Sequence, residues 1–198
     1  MSNPNTSFLA KHSRSPVGAP LPLSVFDTPE DLGHDLAAAI LSALDRAAGE
    51  GRRFVLGCPS GRSLQSTYAA LGERAARGRA DLSAVTIAMM DEYVQPDEIG
   101  FAPCPADAHY SCRRFAHQKI RAVLNRGLPG AKGIAEANVW LPDPGRAAEY
   151  DTRLRQAGGV DLFLLASGAS DGHIAFNAPG STRDSRCRVV ELAETTRR

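Results

Sequence analysis

Three apolar runs, "RFVLG" at 53–57, "SAVTIAMM" at 83–90 and "VDLFLLASG" at 160–168, each break off into small and polar residues. Segments with helical periodicity lie between them. Continuous apolar runs suit strands buried on both faces, and strands alternating with amphipathic helices imply a mostly parallel sheet covered on both sides. The fold class expected is therefore α/β, doubly wound, with helices on both faces.

The helical segments carry their own boundaries. In "TPEDLGHDLAAAILSALDRAAGEG", Thr28 caps, Pro29 suits the first helical position, Glu30 and Asp31 favour the positive end of the dipole, and Gly49 or Gly51 ends the helix. Leu32, Leu36, Ile40, Ala43, Leu44 and Ala47 recur at three to four residues and give it one apolar face. Leu64, Tyr68, Leu71 and Ala75 do the same for the helix after "CPSGRS". Further helices are predicted from about Tyr110 to Asn125 and over "DPGRAAEYDTRLRQAGG", with a short strand at "SVFD" (24–27). "DEYVQP" ends the second strand, and a loop rich in Pro, Cys and His follows.

The chain's 198 residues fit one domain, read as 25–198 after a flexible tail at 1–24. Hydrophobic content of 43%, charged content of 23% and a net charge of +1 describe an ordinary globular protein. No basic run and no interleaving of aromatics with arginine is present, so nucleic acid is not an expected partner. The N-terminal stretch lacks the apolar core of a signal peptide, and no segment is long enough to span a bilayer, so no membrane partner is expected either. Cys58, Cys104, Cys112 and Cys187 form no CxxC pair and show no zinc spacing, which points to reduced thiols and the cytoplasm. His109 and His117, with Asp107 nearby, lack a completing ligand pattern and are read as surface residues, so no metal site is expected.

In open α/β sheets ligands bind beyond the carboxyl ends of the strands, where loops converge and helix N-termini point into the crevice. Three strand ends are candidates. In "GCPSGRS", the loop from Ser60 through Gly61 and Arg62 to Ser63 can aim backbone N–H groups and two hydroxyls at one anion, and Arg62 can add a bidentate contact to phosphate. A plain strand-to-helix turn would look the same, and the spacing matches neither nucleotide-binding loop. In "MMDEYV", Asp91 and Glu92 follow directly on a buried strand; such carboxylates serve as helix caps, or, when held from water, as bases of raised proton affinity. In "LLASGASDGHIAFNAPGS", Asp171 and His173 form either a capping acid with a structural histidine, or an acid–base pair in which the carboxylate fixes the imidazole's tautomer.

Together these stretches resemble the glucosamine-6-phosphate deaminase/isomerase family, within the wider group that includes 6-phosphogluconolactonase. "LGCPSGRSLQSTYAAL", "MMDEYV" and "YDTRLRQAGGVDLFLLASGASDGHIAFNAPGSTRDSRCRVVEL" occur in the family's order and at about its spacing, over roughly residues 50 to 192. "HIAFN" resembles the deaminase branch more than the lactonase branch. The resemblance implies that Asp91 moves a proton between C2 and C1 of the open-chain sugar. It implies that His173, partnered by Asp171, assists ring opening, and that Ser60 to Ser63 hold the phosphate. The implied products are fructose 6-phosphate and ammonia, with no metal or organic cofactor and a small phosphosugar as partner. A lactonase-like hydrolase and a catalytically silent sugar-phosphate-binding module are the alternatives.

The family usually has Glu after the Asn of HIAFN. Here that position is Ala178, and since a positioned proton-transfer group is worth roughly 10²- to 10⁴-fold, a slower reaction is implied. Arg188 matches a basic position of the family's allosteric region, while Val190 stands where lysine is typical, which argues against allosteric control. Arg62 stands where the family has Gly or another small residue. Family members continue for about another quarter of their length. A sheet lacking those C-terminal strands would expose an edge, so a homo-oligomer or instability is expected.

Overall fold

The computed structural model describes residues 23–168, 172–177 and 179–194. The expected tail at 1–24 falls almost wholly outside them, as do Asp171 and Ala178.

Helix α1 (Pro29–Gly49) starts where its cap predicts, with Thr28 Oγ1 accepting from the Asp31 N–H at 3.1 Å. Its Ala37, Ile40, Leu44 and Ala47 are buried. Strands β1 (Phe54–Cys58) and β2 (Val85–Met89) pair in parallel from Phe54↔Val85 to Cys58↔Met89, and every residue of both is buried. Helix α2 (Gln65–Gly78) connects them and packs against α1.

After β2 the chain forms an antiparallel hairpin, β3 (Val94–Asp97) and β4 (Gly100–Pro103), where a loop is expected. Pro96 masks it: proline cannot donate to a ladder, and it is tolerated here because a two-stranded ribbon leaves one side of each strand unpaired. The next helix begins after the Ser111 cap. It runs as α3 (Cys112–Phe115), a π-helical stretch (Ala116–Arg121) and α4 (Ala122–Leu124). It meets α2 at Gly72, where a Cβ would lie 2.5 Å from the Val123 carbonyl oxygen. Only hydrogen fits between those two backbones.

Strand β5 (Val139–Trp140) is too short to show periodicity, and α5 (Ala147–Gln156) is shorter than the segment predicted because its first turn, Pro144–Arg146, is 3₁₀. Of the apolar run 160–168, only β6 (Leu162–Phe163) joins the ladder. Asp161 anchors its start, taking the Val55 N–H at 2.8 Å and pairing with Arg52. Residues 24–27 form no strand: Val25 is exposed and α1 begins immediately afterwards.

The sheet order is β5-β2-β1-β6, all parallel. The rule that such crossovers are right-handed puts α2 and the 112–124 helix on one face and α5, on the return from β5 to β6, on the other, in keeping with the packing of α2 against the 112–124 helix. The complete burial of β1 and β2 is the consequence. Because the chain leaves β1 in one direction and returns to β6 on its other flank, a crevice opens at the carboxyl ends of these strands.

Candidate active site

β1 ends in Cys58, and the carbonyl oxygen of the next residue, Pro59, accepts from the buried Tyr68 hydroxyl at 3.0 Å and so pins the following turn to α2. Ser60 is half-buried at the foot of that turn, while Gly61 (φ +94), Arg62 and Ser63 are exposed at its crest. The helix cap is Leu64, which has no capping side chain; the serines are left for other contacts.

At the end of β2 the two adjacent carboxylates divide the roles expected of them. Glu92 clasps the start of α3: it accepts the N–H groups of Cys112 at 2.9 Å and Arg113 at 2.8 Å, and the Ser111 hydroxyl lies at 3.3 Å. A carboxylate at a helix N-terminus is stabilised by orphan donors and by the dipole. Asp91 instead turns inward. Burial pushes its carboxyl up to about 6, and the Glu92 charge adds to this, while the Cys112 thiol and the His173 imidazole pull the other way. A carboxylate so held accepts protons near neutral pH.

Cys112 joins the first strand end to the second. Its Sγ lies 3.3 Å from Ser60 Oγ and 3.4 Å from Asp91 Oδ1. Burial, and then the Asp91 charge, push the thiol far above its ordinary range. It therefore stays protonated and donates.

The third strand end reaches the second through aromatic rings. His173 lies 5.7 Å from Phe176, Phe176 5.0 Å from Tyr93, and Tyr93 5.4 Å from Tyr110, in tilted and edge-to-face arrangements. The turn carrying His173 closes on itself, with the Gly168 N–H bonded to the His173 carbonyl at 2.8 Å and the Gly172 N–H to the Gly168 carbonyl at 2.9 Å. The imidazole rests directly on Gly168, where any Cβ would overlap its Cε1 and Nδ1. Ala175 and Phe176 follow with φ of 54° and 52°, a left-handed pair that non-glycine residues adopt only at a cost of order 1 kcal/mol each.

A cavity of about 410 Å³ opens against Asp91, Tyr93 and Phe176 and extends along α5 to Arg186, Arg188 and Leu192. Its far wall is fixed by Tyr150, whose hydroxyl lies 2.8 Å from the Met89 carbonyl, and by Asp151, which takes the Cys187 N–H at 3.0 Å. Arg188 donates to Ser181 Oγ at 2.7 Å. The crest of the Ser60–Ser63 turn is not among the cavity's walls.

The structure thus joins Ser60 to Asp91 through Cys112, brings His173 through Phe176 to Tyr93, two residues from Asp91, leaves Gly61, Arg62 and Ser63 at the solvent edge, and does not describe Asp171. Cys112 does not stand out in the sequence, where the four cysteines show neither disulfide nor zinc spacing. The signal for it was its place directly after a capping serine, facing the carboxyl ends of two strands. His109 is exposed, and burial holds the half-buried His117 below the usual imidazole range. Among the described residues, no group of three His, Cys, Asp or Glu side chains is placed to hold a metal ion, and no helix is long and apolar enough to cross a membrane.

No protein-family model matches the chain. It is 35% identical over 176 residues to a glucosamine-6-phosphate isomerase of Candida albicans, across 87% of this chain and 64% of that one. It is 40% identical over 144 residues to a glucosamine-6-phosphate deaminase of Rhodopirellula baltica, across 72% and 52%. The chain therefore spans roughly half to just under two thirds of the length of these curated relatives. Among solved structures it is similar to a monomeric glucosamine-6-phosphate deaminase (TM-score 0.71, 22% identity, 87% of this chain and 65% of that one). A 6-phosphogluconolactonase of Trypanosoma brucei is similar at TM-score 0.54 and 22% identity, over 84% and 67%. The fold is the one those two structures share, and over most of its own length the chain is similar in sequence to proteins named glucosamine-6-phosphate deaminase or isomerase.

Proposed function

We propose that this protein converts glucosamine 6-phosphate, or a closely related hexosamine phosphate, with water into fructose 6-phosphate and ammonia. The observation that carries the reading is the joining of three strand ends: Ser60 and Asp91 share the Cys112 thiol, and His173 reaches Asp91's neighbour Tyr93 through Phe176. The names of the relatives at 35% and 40% identity support the same substrate.

In this reading the N–H groups and hydroxyls of Ser60 to Ser63, with the Arg62 guanidinium, take the phosphate. His173 gives a proton to the ring oxygen as the C1–O5 bond breaks and the C1 hydroxyl loses its own proton, leaving the open-chain aldehyde; Asp171 partners the imidazole. Asp91, ionised, removes the C2 proton to give an enolamine and returns it to C1. The resulting C2 iminium adds water and releases ammonia. A carboxyl pushed up to about 6 suits both halves of that transfer, because it is ionised at neutral pH yet basic enough to hold the proton between them.

Residues 25–198 would form the one catalytic domain, in the cytoplasm. Phe163 and Leu165, exposed on and beside the edge strand β6, support assembly with a second copy. The lactonase alternative has only likeness of fold behind it.

Incubation with glucosamine 6-phosphate in deuterated water tests the proposal. Ammonia release with deuterium at C1 of the ketose is expected; neither ammonia nor label would overturn it.

A further inference from the structure

A buried thiol at the centre of the site has no part in the steps above. Cys112 is the first residue of α3 and is fully buried. Its backbone is fixed by the Glu92 clasp, which takes its N–H and that of Arg113. Asp91 and Glu92 thereby hold both ends of one contact: Glu92 sets where the Cys112 backbone lies, and the side chain returns Sγ to Asp91 Oδ1 at 3.4 Å and to Ser60 Oγ at 3.3 Å.

We propose that Cys112 is a positioning residue for Asp91, its S–H donating to the Asp91 carboxylate while its sulfur lies against the Ser60 hydroxyl, so that one thiol orients the base, tunes its proton affinity and ties it to the phosphate-side turn. The proposal rests on the reading of Asp91 as the base.

A donor to an ionised carboxylate favours the charged form, and the thiol is a weak donor. It offsets part of the penalty that burial places on the Asp91 charge. The other titratable groups around Asp91 are Glu92 beside it, His173 from the third strand end, and the Tyr93 and Tyr150 phenols, both of which sense its charge. None of these changes when Cys112 is replaced by Ala. A cysteine that merely filled space as a small apolar side chain would leave the titration of Asp91 where it was.

The test is carboxyl ¹³C NMR of the full chain, with the Asp91 resonance assigned by its loss in Asp91→Asn. In Cys112→Ala the Asp91 midpoint is expected to rise by roughly half a pH unit or more, given the worth of a hydrogen bond to a charged group. Cys112→Ser, which keeps a donor, is expected to restore most of it. The acid limb of ammonia release should move by the same amount in each variant. An unmoved midpoint in Cys112→Ala overturns the proposal; if that variant does not fold, Cys112→Val keeps the volume, lacks the donor and gives the same decision. A moved midpoint in a protein that releases no ammonia keeps the contact and sinks the function, whereas ammonia release with an unmoved midpoint does the reverse.

Discussion

β1 and β2 pair along five residues each, all buried, and their ends are tied down by the Tyr68 hydroxyl, the Glu92 clasp and the Cys112 thiol. β6 pairs in register through Leu162 and Phe163, flanked by the Asp161 N–H on the Val55 carbonyl and the Leu164 N–H on the Gly57 carbonyl, and among the described residues after it no strand occurs; the turn that carries His173 has two internal backbone bonds, a left-handed pair at Ala175 and Phe176, and a ring contact through Phe176 to Tyr93. The two flanks of the crevice supply different halves of the proposed chemistry. The deeply paired flank holds the base, where burial sets the proton affinity. The lightly paired flank delivers the imidazole, where position is set by a ring resting on a glycine. Local opening free energies follow buried contacts and shielded hydrogen bonds, so the two flanks should respond differently to perturbation.

The largest effect should come from the first flank. Asp91→Asn leaves the shape and removes the base, and ammonia release and C1 labelling should fall by roughly 10²- to 10⁴-fold, with hexose-phosphate binding retained as read by calorimetry. On the second flank, Gly168→Ala forces the imidazole off its seat. A displacement of about 1 Å costs on the order of 10²-fold in turnover, and because few buried contacts are involved the melting temperature should barely move. Loss of stability equal to loss of activity would erase the distinction between the flanks.

Gly72→Ala is the mirror experiment. Forcing a methyl group against the Val123 carbonyl should destabilise the protein by roughly 1–3 kcal/mol in urea unfolding, while turnover of the remaining folded molecules stays near normal.

The smallest and sharpest effect is in pH. Because the folded-state proton affinity of Asp91 is raised to about 6, the folded protein binds a proton that the unfolded chain has already released. Its contribution to stability is full below the ordinary aspartate range and is lost as pH rises through about 6. Activity runs the other way, falling as pH drops through about 6 and the base is neutralised. Asp91→Asn should flatten that part of the stability profile.

How legible each flank was in the sequence follows the same division. α1 was legible because Thr28, Pro29 and the spacing of Ile40, Leu44 and Ala47 all agree. β1 and β2 were legible because both faces are covered and their runs are unbroken. The run 160–168 reads as strongly, yet only Leu162 and Phe163 pair in register with β1, with the Asp161 and Leu164 N–H groups bonded on either side of them, since ladder length depends on the neighbour and not on apolarity. β5 is two residues long, and Pro96 hides the hairpin. The three strand ends could be read from Gly, Ser, Asp and His after apolar runs. What joins them could not: the Cys112 bridge spans 52 residues to Ser60 and 21 to Asp91, and the Phe176–Tyr93 contact links segments that no local pattern connects.

The central claim is that the two flanks meet around one phosphosugar. The most direct measurement is a crystal structure of Asp91→Asn with glucosamine 6-phosphate bound. The account predicts the phosphate on the Ser60–Ser63 turn, with C1 and C2 between residue 91 and His173. A sugar seated instead along α5 against Arg186 and Leu192, away from both, would contradict it.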